Sequence, residues 1–170
     1  MRGRRPWLAL VIMLLRTFQR LSRVEGLTGV LAGEWERVPG GLEAPYRAMV
    51  SAMERAGVGT GGRPPVWVWW GELRLIDAVS LFDAEHELSA GFATVEFDAP
   101  ADLVVASDYG RWNDFLAATL AGQEHVWEPC PDFAREPVQV CLPYLRAEWV
   151  LRVRPLPVAG WDDLDLAAPV

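Results

Sequence analysis

Val66-Trp67-Val68-Trp69-Trp70 gives the clearest indication of secondary structure in this chain. All five residues are β-branched or aromatic, the composition that favours a strand. Alternation of side chains puts Trp67 and Trp69 on one face and Val66, Val68 and Trp70 on the other. Because both faces are apolar, we expect this strand to lie inside a sheet that is covered on both sides.

Further strands are predicted on both sides of the tryptophan-rich one. They cover residues 14–19, 92–97, 103–106, 138–142 and 149–153. In the last of them we expect Leu151 and Val153 to point inward and Arg152 and Arg154 to point outward.

Helices are predicted between the strands. A short one follows Ser22, a longer one runs from Glu43 to Gly57, and a helical turn lies around residues 77–82. Ser107 or Asp108 is expected to cap a further helix that ends at Gly122. Since strands and helices do not alternate regularly, the predicted fold class is α+β, with a mixed, mainly antiparallel sheet and two or three packed helices in a single domain.

Composition narrows the classes of partner. The chain has 170 residues, 51% of them hydrophobic, which suffices for one domain with its own core. The formal net charge is −7 and the arginines are scattered singly, which argues against binding a nucleic acid. A small neutral or cationic ligand, or a protein partner, is compatible with this charge.

The two cysteines indicate a reducing compartment. Cys130 and Cys141 make no disulfide framework, so we expect both to be reduced in a cytoplasmic protein. With His125 they match no zinc-binding spacing, so no metal site is predicted. No cofactor is evident from the sequence.

The N-terminus resembles a secretory signal only in part. Arg2, Arg4 and Arg5 precede an apolar run that ends at Leu15, but no small-residue cleavage site follows. The run is also much shorter than the roughly 20 residues of a spanning helix, so no membrane association is expected. We predict that residues 1–12 are an extension outside the fold, that residues 13–154 form the domain, and that residues 155–170 are an acidic, proline-containing tail.

Six segments, in the same order along the chain, carry a resemblance to a known family. They are Leu-Leu-Arg-Thr-Phe-Gln at 14–19, Gly-Val-Leu at 29–31, Pro-Tyr-Arg-Ala-Met at 45–49, Pro-Val-Trp-Val-Trp at 65–69, Val-Glu-Phe at 95–97 and Ser-Asp-Tyr-Gly-Arg-Trp at 107–112. Over residues 14–154 the chain resembles the bacterial family called domain of unknown function 3841 (DUF3841). Such proteins open on a strand ending in Thr-x-Gln, matched by Thr17 and Gln19, whereas Arg16 stands where an aromatic residue is common. The resemblance implies no activity.

Large aromatic side chains supply the first candidate site. The chain has nine tryptophans and three tyrosines, enough to line a pocket or a sheet face. We predict that Trp67, Trp69, Tyr109 and Trp112 form such a surface, with Asp108 at the adjoining helix cap. The protein would then be a module that binds a small ligand or a protein.

The alternative is an NAD-handling or nucleotide-handling enzyme. The order of polar residues resembles in outline the layout of ADP-ribosyltransferase-like domains, which use NAD as cofactor. That resemblance implies that Thr17 and Gln19 bind NAD, that the ring of Tyr46 or Trp69 stacks on the nicotinamide, and that Glu96 is the catalytic residue. An ion pair or an exposed position would equally explain Glu96.

The two hypotheses differ in where the carboxylates lie. The enzyme requires Glu96 or Asp108 to face the same cavity as Thr17 and Gln19. The binding module requires exposed aromatic surface and no carboxylate that converges on those two residues.

Overall fold

A computed structural model of the protein describes residues 11–170. The strands, in chain order, are β1 Ile12–Arg20, β2 Val30–Ala32, β3 Val66–Trp70, β4 Phe92–Pro100, β5 Val105–Ala106, β6 Val138–Leu142, β7 Tyr144–Arg146 and β8 Val150–Pro155. The α-helices are α1 Leu21–Val24, α2 Glu43–Arg55, α3 Leu75–Leu81 and α4 Tyr109–Leu120. None of these helices is long and apolar enough to cross a membrane.

The strands form two sheets. The larger has the order β5-β6-β3-β1-β4-β8, and β2 pairs with β7 in the smaller one. Strands β1 and β4 pair over their full lengths, from Ile12 opposite Pro100 to Arg20 opposite Phe92. The predicted α+β class is confirmed, and every pairing of these eight strands is antiparallel.

Both faces of the larger sheet are covered, as the sequence of β3 predicts. The side that carries Val68, together with Leu15 and Val95, packs against α1 and the small sheet. The opposite side, which we call the tryptophan face, carries Trp67 and Trp69. Two clusters lie on the tryptophan face: Trp67 packs with residues of α2 and α4, and Trp69 with residues of α3 and the C-terminal segment.

The C-terminal segment differs from the predicted tail. Strand β8 reaches Pro155, and the chain beyond it packs on the tryptophan face beside α3. The backbone N–H of Val170 donates to the Leu73 carbonyl at 3.0 Å, and that of Ile76 donates to Leu166 at 2.9 Å. The reason lies in the apolar residues that recur among the aspartates: Trp161, Leu164, Leu166, Ala168 and Val170 all contact this core.

The N-terminal boundary also differs slightly from the prediction. Residues 1–10, most of the expected extension, lie outside the described residues. Strand β1 begins at Ile12, which pairs with Pro100, so the sheet starts one residue before Met13.

At the β8 edge of the larger sheet, the side chains depart from simple inward and outward alternation. The register shifts between Glu96 and Phe97, whose partners are Arg152 and Val150. Leu151 has no partner in this pairing and is 58% exposed, contrary to its predicted inward position. An extra residue of this kind is a β-bulge, which ends the regular alternation of side chains along a strand.

Candidate functional site

A cavity of about 300 Å³ opens on the tryptophan face, where β3 and β6 meet the beginning of α4. Its wall combines four parts of the chain that are distant in sequence: Trp69 of β3, residues 73–81 at α3, residues 107–110 at the start of α4, and residues 132–139 leading into β6. We call it the Trp69 cavity.

Two aromatic rings form one wall of the Trp69 cavity. Trp69 is 8% exposed and meets Tyr109 edge to face, with ring centroids 5.3 Å apart. Tyr109 is 37% exposed, so its ring lies at the mouth. Leu73 and Leu81 make other parts of the wall apolar.

Asp108 places Tyr109 at this mouth. Its carboxylate accepts a hydrogen bond of 2.7 Å from the backbone N–H of Arg111, and α4 begins at the next residue. The predicted N-terminal cap is therefore confirmed, and Asp108 rather than Ser107 provides it. Because the capping residue fixes the first turn of the helix, Tyr109 and Gly110 both line the cavity.

Ser107 and Gln139 form a buried polar pair in the wall. Ser107 is 1% exposed and Gln139 is 4% exposed. The Ser107 hydroxyl donates to the Gln139 amide oxygen at 2.9 Å, and the two backbones join through Ser107 N–H and the Gln139 carbonyl at 3.0 Å. Among the hydrogen bonds of residues 11–170, none uses the amide nitrogen of Gln139. Since Gln139 lines the cavity, its two amide N–H donors are left for a ligand or solvent.

The charges around the Trp69 cavity are mainly negative. Asp77, Asp108 and Asp132 line it, whereas Arg135 is the one cation in the wall as described, which leaves a net charge of −2. Arg135 also lies 3.7 Å from Asp132, so that pair is largely self-compensated. An arrangement of this kind favours a neutral or cationic ligand over an anion.

A second, wider cleft of about 450 Å³ lies at the C-terminal end of β1. Its charged residues are Arg20, Arg23, Arg37, Glu34 and Glu87, and we call it the arginine cleft. Aromatic residues line it as well, including Tyr46 and Trp67, whose ring centroids are 5.9 Å apart. Burial raises the pKa of Tyr46, so its phenol is neutral at physiological pH.

The predicted site residues divide between these two places. Trp69 and Asp108 line the Trp69 cavity, whereas Gln19 and Tyr46 line the arginine cleft. Trp112 lines neither. It is 3% exposed and packs in the core against Trp67, Tyr46, Phe115 and Trp127.

Thr17 is fully buried and has its hydrogen bonds within the protein. Its hydroxyl donates to the Trp67 carbonyl at 2.7 Å and accepts from the Gln19 amide at 3.1 Å. The side chain thus ties β1 to β3 and positions Gln19.

Glu96 lies on the other side of the sheet from Thr17. It pairs with Arg16 across β1 and β4, and the two side chains form an ion pair of 2.7 Å. Thr17 follows Arg16 in β1 and therefore points to the opposite face. In the part of the chain that the structure describes, neither Glu96 nor Asp108 shares a cavity with Gln19.

Sequence reasoning missed the Ser107–Gln139 pair. A signal was present, because Gln139 is the one strongly polar residue in the strand Val138–Leu142, all of which is buried. A buried amide needs partners for its polar atoms, so its position in that strand marks a site to examine.

Two observations concern cofactors and redox state. Within residues 11–170, no group of three or more His, Cys, Asp or Glu side chains is placed to hold a metal ion. Cys130 is exposed, Cys141 is buried, and both are free thiols.

Comparison with known proteins adds no relative. No family model, no curated protein and no solved structure matches this chain. The resemblance to DUF3841 stays a prediction.

Proposed function

We propose that the protein is a binding module for a compact, neutral or cationic small molecule, held in the Trp69 cavity. The observation that carries this proposal is the amide of Gln139, which is buried, is bonded through its oxygen to Ser107, and has donors left at the cavity wall. A carbonyl oxygen on the ligand would accept from those donors. A ligand with no acceptor at this point would displace water and leave these donors unpaired, at a cost of about 1–3 kcal/mol, so the wall favours a ligand with a carbonyl.

The size and lining of the cavity support a ligand built around a flat ring. A volume of about 300 Å³ is at the small end of ligand pockets, which are mostly apolar with a few placed polar groups. Trp69 and Tyr109 supply faces and edges against which a ring packs, and such pairs contribute about 0.5–1.5 kcal/mol beyond the area they bury.

The carboxylates in the wall of the Trp69 cavity support a neutral or cationic ligand. Asp77 and Asp108 each accept one backbone hydrogen bond, from Arg74 and Arg111, and have oxygen lone pairs to spare. A cationic or N–H-bearing group on the ligand would satisfy them, whereas an anion would be repelled.

Binding without reaction is the better-supported hypothesis. The transferase alternative needs Glu96 or Asp108 in one cavity with Thr17 and Gln19. The carboxylates in the cleft that Gln19 lines are instead Glu34 and Glu87. We place the module in the cytoplasm as part of this proposal, because free thiols are typical of a reducing compartment.

Three probes of one ring and similar size test the proposal: benzamide, which is neutral, benzamidine, which is cationic, and benzoate, which is anionic. Each is titrated into ¹⁵N-labelled protein while backbone amide signals are followed by NMR. We expect benzamide and benzamidine, but not benzoate, to shift the signals of Gly110, Val138 and Gln139 in a saturable manner.

A double variant provides the matched test of the polar pair. Ser107→Ala with Gln139→Leu removes both partners, and Gln123→Leu, at an exposed position, is the control. The double variant should weaken benzamide binding at least fivefold and the control should leave it unchanged. Shifts that map elsewhere, equal binding of benzoate at these three residues, or no saturable binding of either favoured probe would each contradict the proposal.

A further inference from the structure

The arginine cleft carries a net charge of opposite sign to that of the Trp69 cavity. Arg20, Arg23 and Arg37 line it against Glu34 and Glu87, a net charge of +1 in a chain whose net charge is −7. We propose that the arginine cleft is a second binding site, for a small molecule that joins an oxyanion, carboxylate or phosphate, to an aromatic ring. This inference is independent of the function proposed for the Trp69 cavity.

Arg23 is held in place by the protein and still has donors to offer. Its side chain is only 20% exposed, and its guanidinium donates to the Gln19 amide oxygen at 3.3 Å and to the Ala32 carbonyl at 3.1 Å. A guanidinium has five N–H donors, so these two bonds orient the group without exhausting it. The Glu34 carboxylate is 3.7 Å away, too far for a good hydrogen bond.

Arg37 competes for the same carboxylate. It donates to Glu34 at 2.8 Å, so two guanidiniums share one anion. The pKa of Arg23 is lowered by its burial and then by the positive charge of Arg37, with Glu34 offsetting only part of this. An oxyanion between the two guanidiniums would relieve their repulsion and accept charge-assisted hydrogen bonds from both.

Arg20 adds a third cation to the lining of the cleft. Its guanidinium lies 5.5 Å from the centroid of the Phe92 ring. No ion pair within residues 11–170 engages it, so its charge remains available to an incoming anion.

The wall that carries Glu34 has little freedom to collapse into the cleft. Gly33 packs so closely on Pro64 that a Cβ at Gly33 would overlap the Pro64 carbonyl. Both residues line the cleft, which is therefore bounded by backbone in direct contact rather than by a loose loop.

The ring-binding part of the cleft is formed by Tyr46 and Trp67. Both are half-buried, line the cleft, and meet at 78°. The uncharged phenol and the indole offer apolar surface near the arginines. An anion alone would use only half of this lining, which is why we assign a ring-bearing ligand.

Phenyl phosphate, inorganic phosphate and benzyl alcohol separate the two parts of the inference. Each is titrated into the full chain, with affinities from calorimetry and locations from backbone NMR shifts. We expect phenyl phosphate to bind most tightly and to shift residues 32–37, inorganic phosphate to bind the same place at least fivefold more weakly, and benzyl alcohol to bind weakest. Equal affinity of phenyl phosphate and inorganic phosphate would overturn the proposal that the cleft binds an aromatic ring. Equal affinity of phenyl phosphate and benzyl alcohol would overturn the proposal that it binds an oxyanion.

Matched arginine variants test the residues. Arg37→Gln removes a donor and a charge from an exposed side chain, so it should weaken phenyl phosphate binding about tenfold with the fold intact. Arg23→Gln should weaken it as strongly, but also removes the bond to Ala32, so Arg37→Gln remains the decisive variant. Arg152→Gln, at an exposed position on β8, is the control and should bind as the unchanged protein does. An unchanged affinity in Arg37→Gln, an equal loss in Arg152→Gln, or shifts outside the cleft would overturn the proposal.

Discussion

The hydrogen bond between Ser107 and Gln139 can be tested by removing its partners singly and together. Gln139→Leu keeps a similar volume but loses the amide, so the Ser107 hydroxyl, 1% exposed, is left without its acceptor. Losing the bond and leaving a buried hydroxyl unpaired should lower the free energy of unfolding by about 2 kcal/mol. Ser107→Ala should cost about 1 kcal/mol, because the amide oxygen it leaves behind belongs to a residue at the cavity wall.

The double variant carries the decisive information. With both partners gone, no polar atom is stranded, so its stability should return to within about 1 kcal/mol of the unchanged protein. The coupling between the two sites is then about 2 kcal/mol, measured by urea unfolding of all four proteins with the slopes compared for two-state behaviour. Additive losses of about 3 kcal/mol in the double variant would refute the pairing and, with it, the geometry of the proposed site.

Three further predictions concern the rest of the fold. Gly33→Ala should lower the free energy of unfolding by about 2 kcal/mol or more through backbone overlap, whereas Gly40→Ala, which meets open space, should change it by less than about 1 kcal/mol in the same urea assay. Deleting residues 165–170 removes apolar contacts with the α3 core and three backbone hydrogen bonds, and should lower the thermal midpoint measured by circular dichroism, whereas an unchanged midpoint would show a loose tail. Burial raises the pKa of the Cys141 thiol, so iodoacetamide should modify only Cys130 in the folded protein, and mass spectrometry showing rapid double modification would contradict the buried position.

The sequence predicts the centre of this fold well because local signals there agree with packing. Strand β3 has both faces apolar, and it lies between two other strands of the sheet. Helix α4 begins where Asp108 supplies a side-chain cap. In α2, Met49 and Met53 are fully buried, as their helical spacing predicts.

The edges of the fold are less predictable for physical reasons. Strands β2 and β7 have three residues each, too few to show alternation. Leu151 follows the inward pattern in sequence, but the bulge in β8 turns it outward. The C-terminal segment has the aspartates and prolines of a tail, and only its contact with α3 shows that its apolar residues are used.

The candidate site depends on register and long-range contact, which residue types alone do not specify. Placing Glu96 opposite Arg16, and hence away from the Thr17 side of the sheet, requires the pairing of β1 with β4. The Trp69 cavity requires segments around residues 73–81, 107–110 and 132–139 to meet. Of the four aromatic residues predicted to form one surface, only Trp69 and Tyr109 line this cavity, and the sequence reasoning missed the polar pair beside them.

Ligand binding in the Trp69 cavity can be followed at the side-chain amide of Gln139 itself. Its ¹⁵N–¹H signals, assigned by their loss in Gln139→Leu, are recorded while benzamide is added to the unchanged protein. A ligand whose carbonyl accepts from this amide should move both signals along one saturable curve, with the same affinity as the backbone shift of Gly110. Saturable binding that shifts Gly110 but leaves the Gln139 side-chain signals in place would contradict the account.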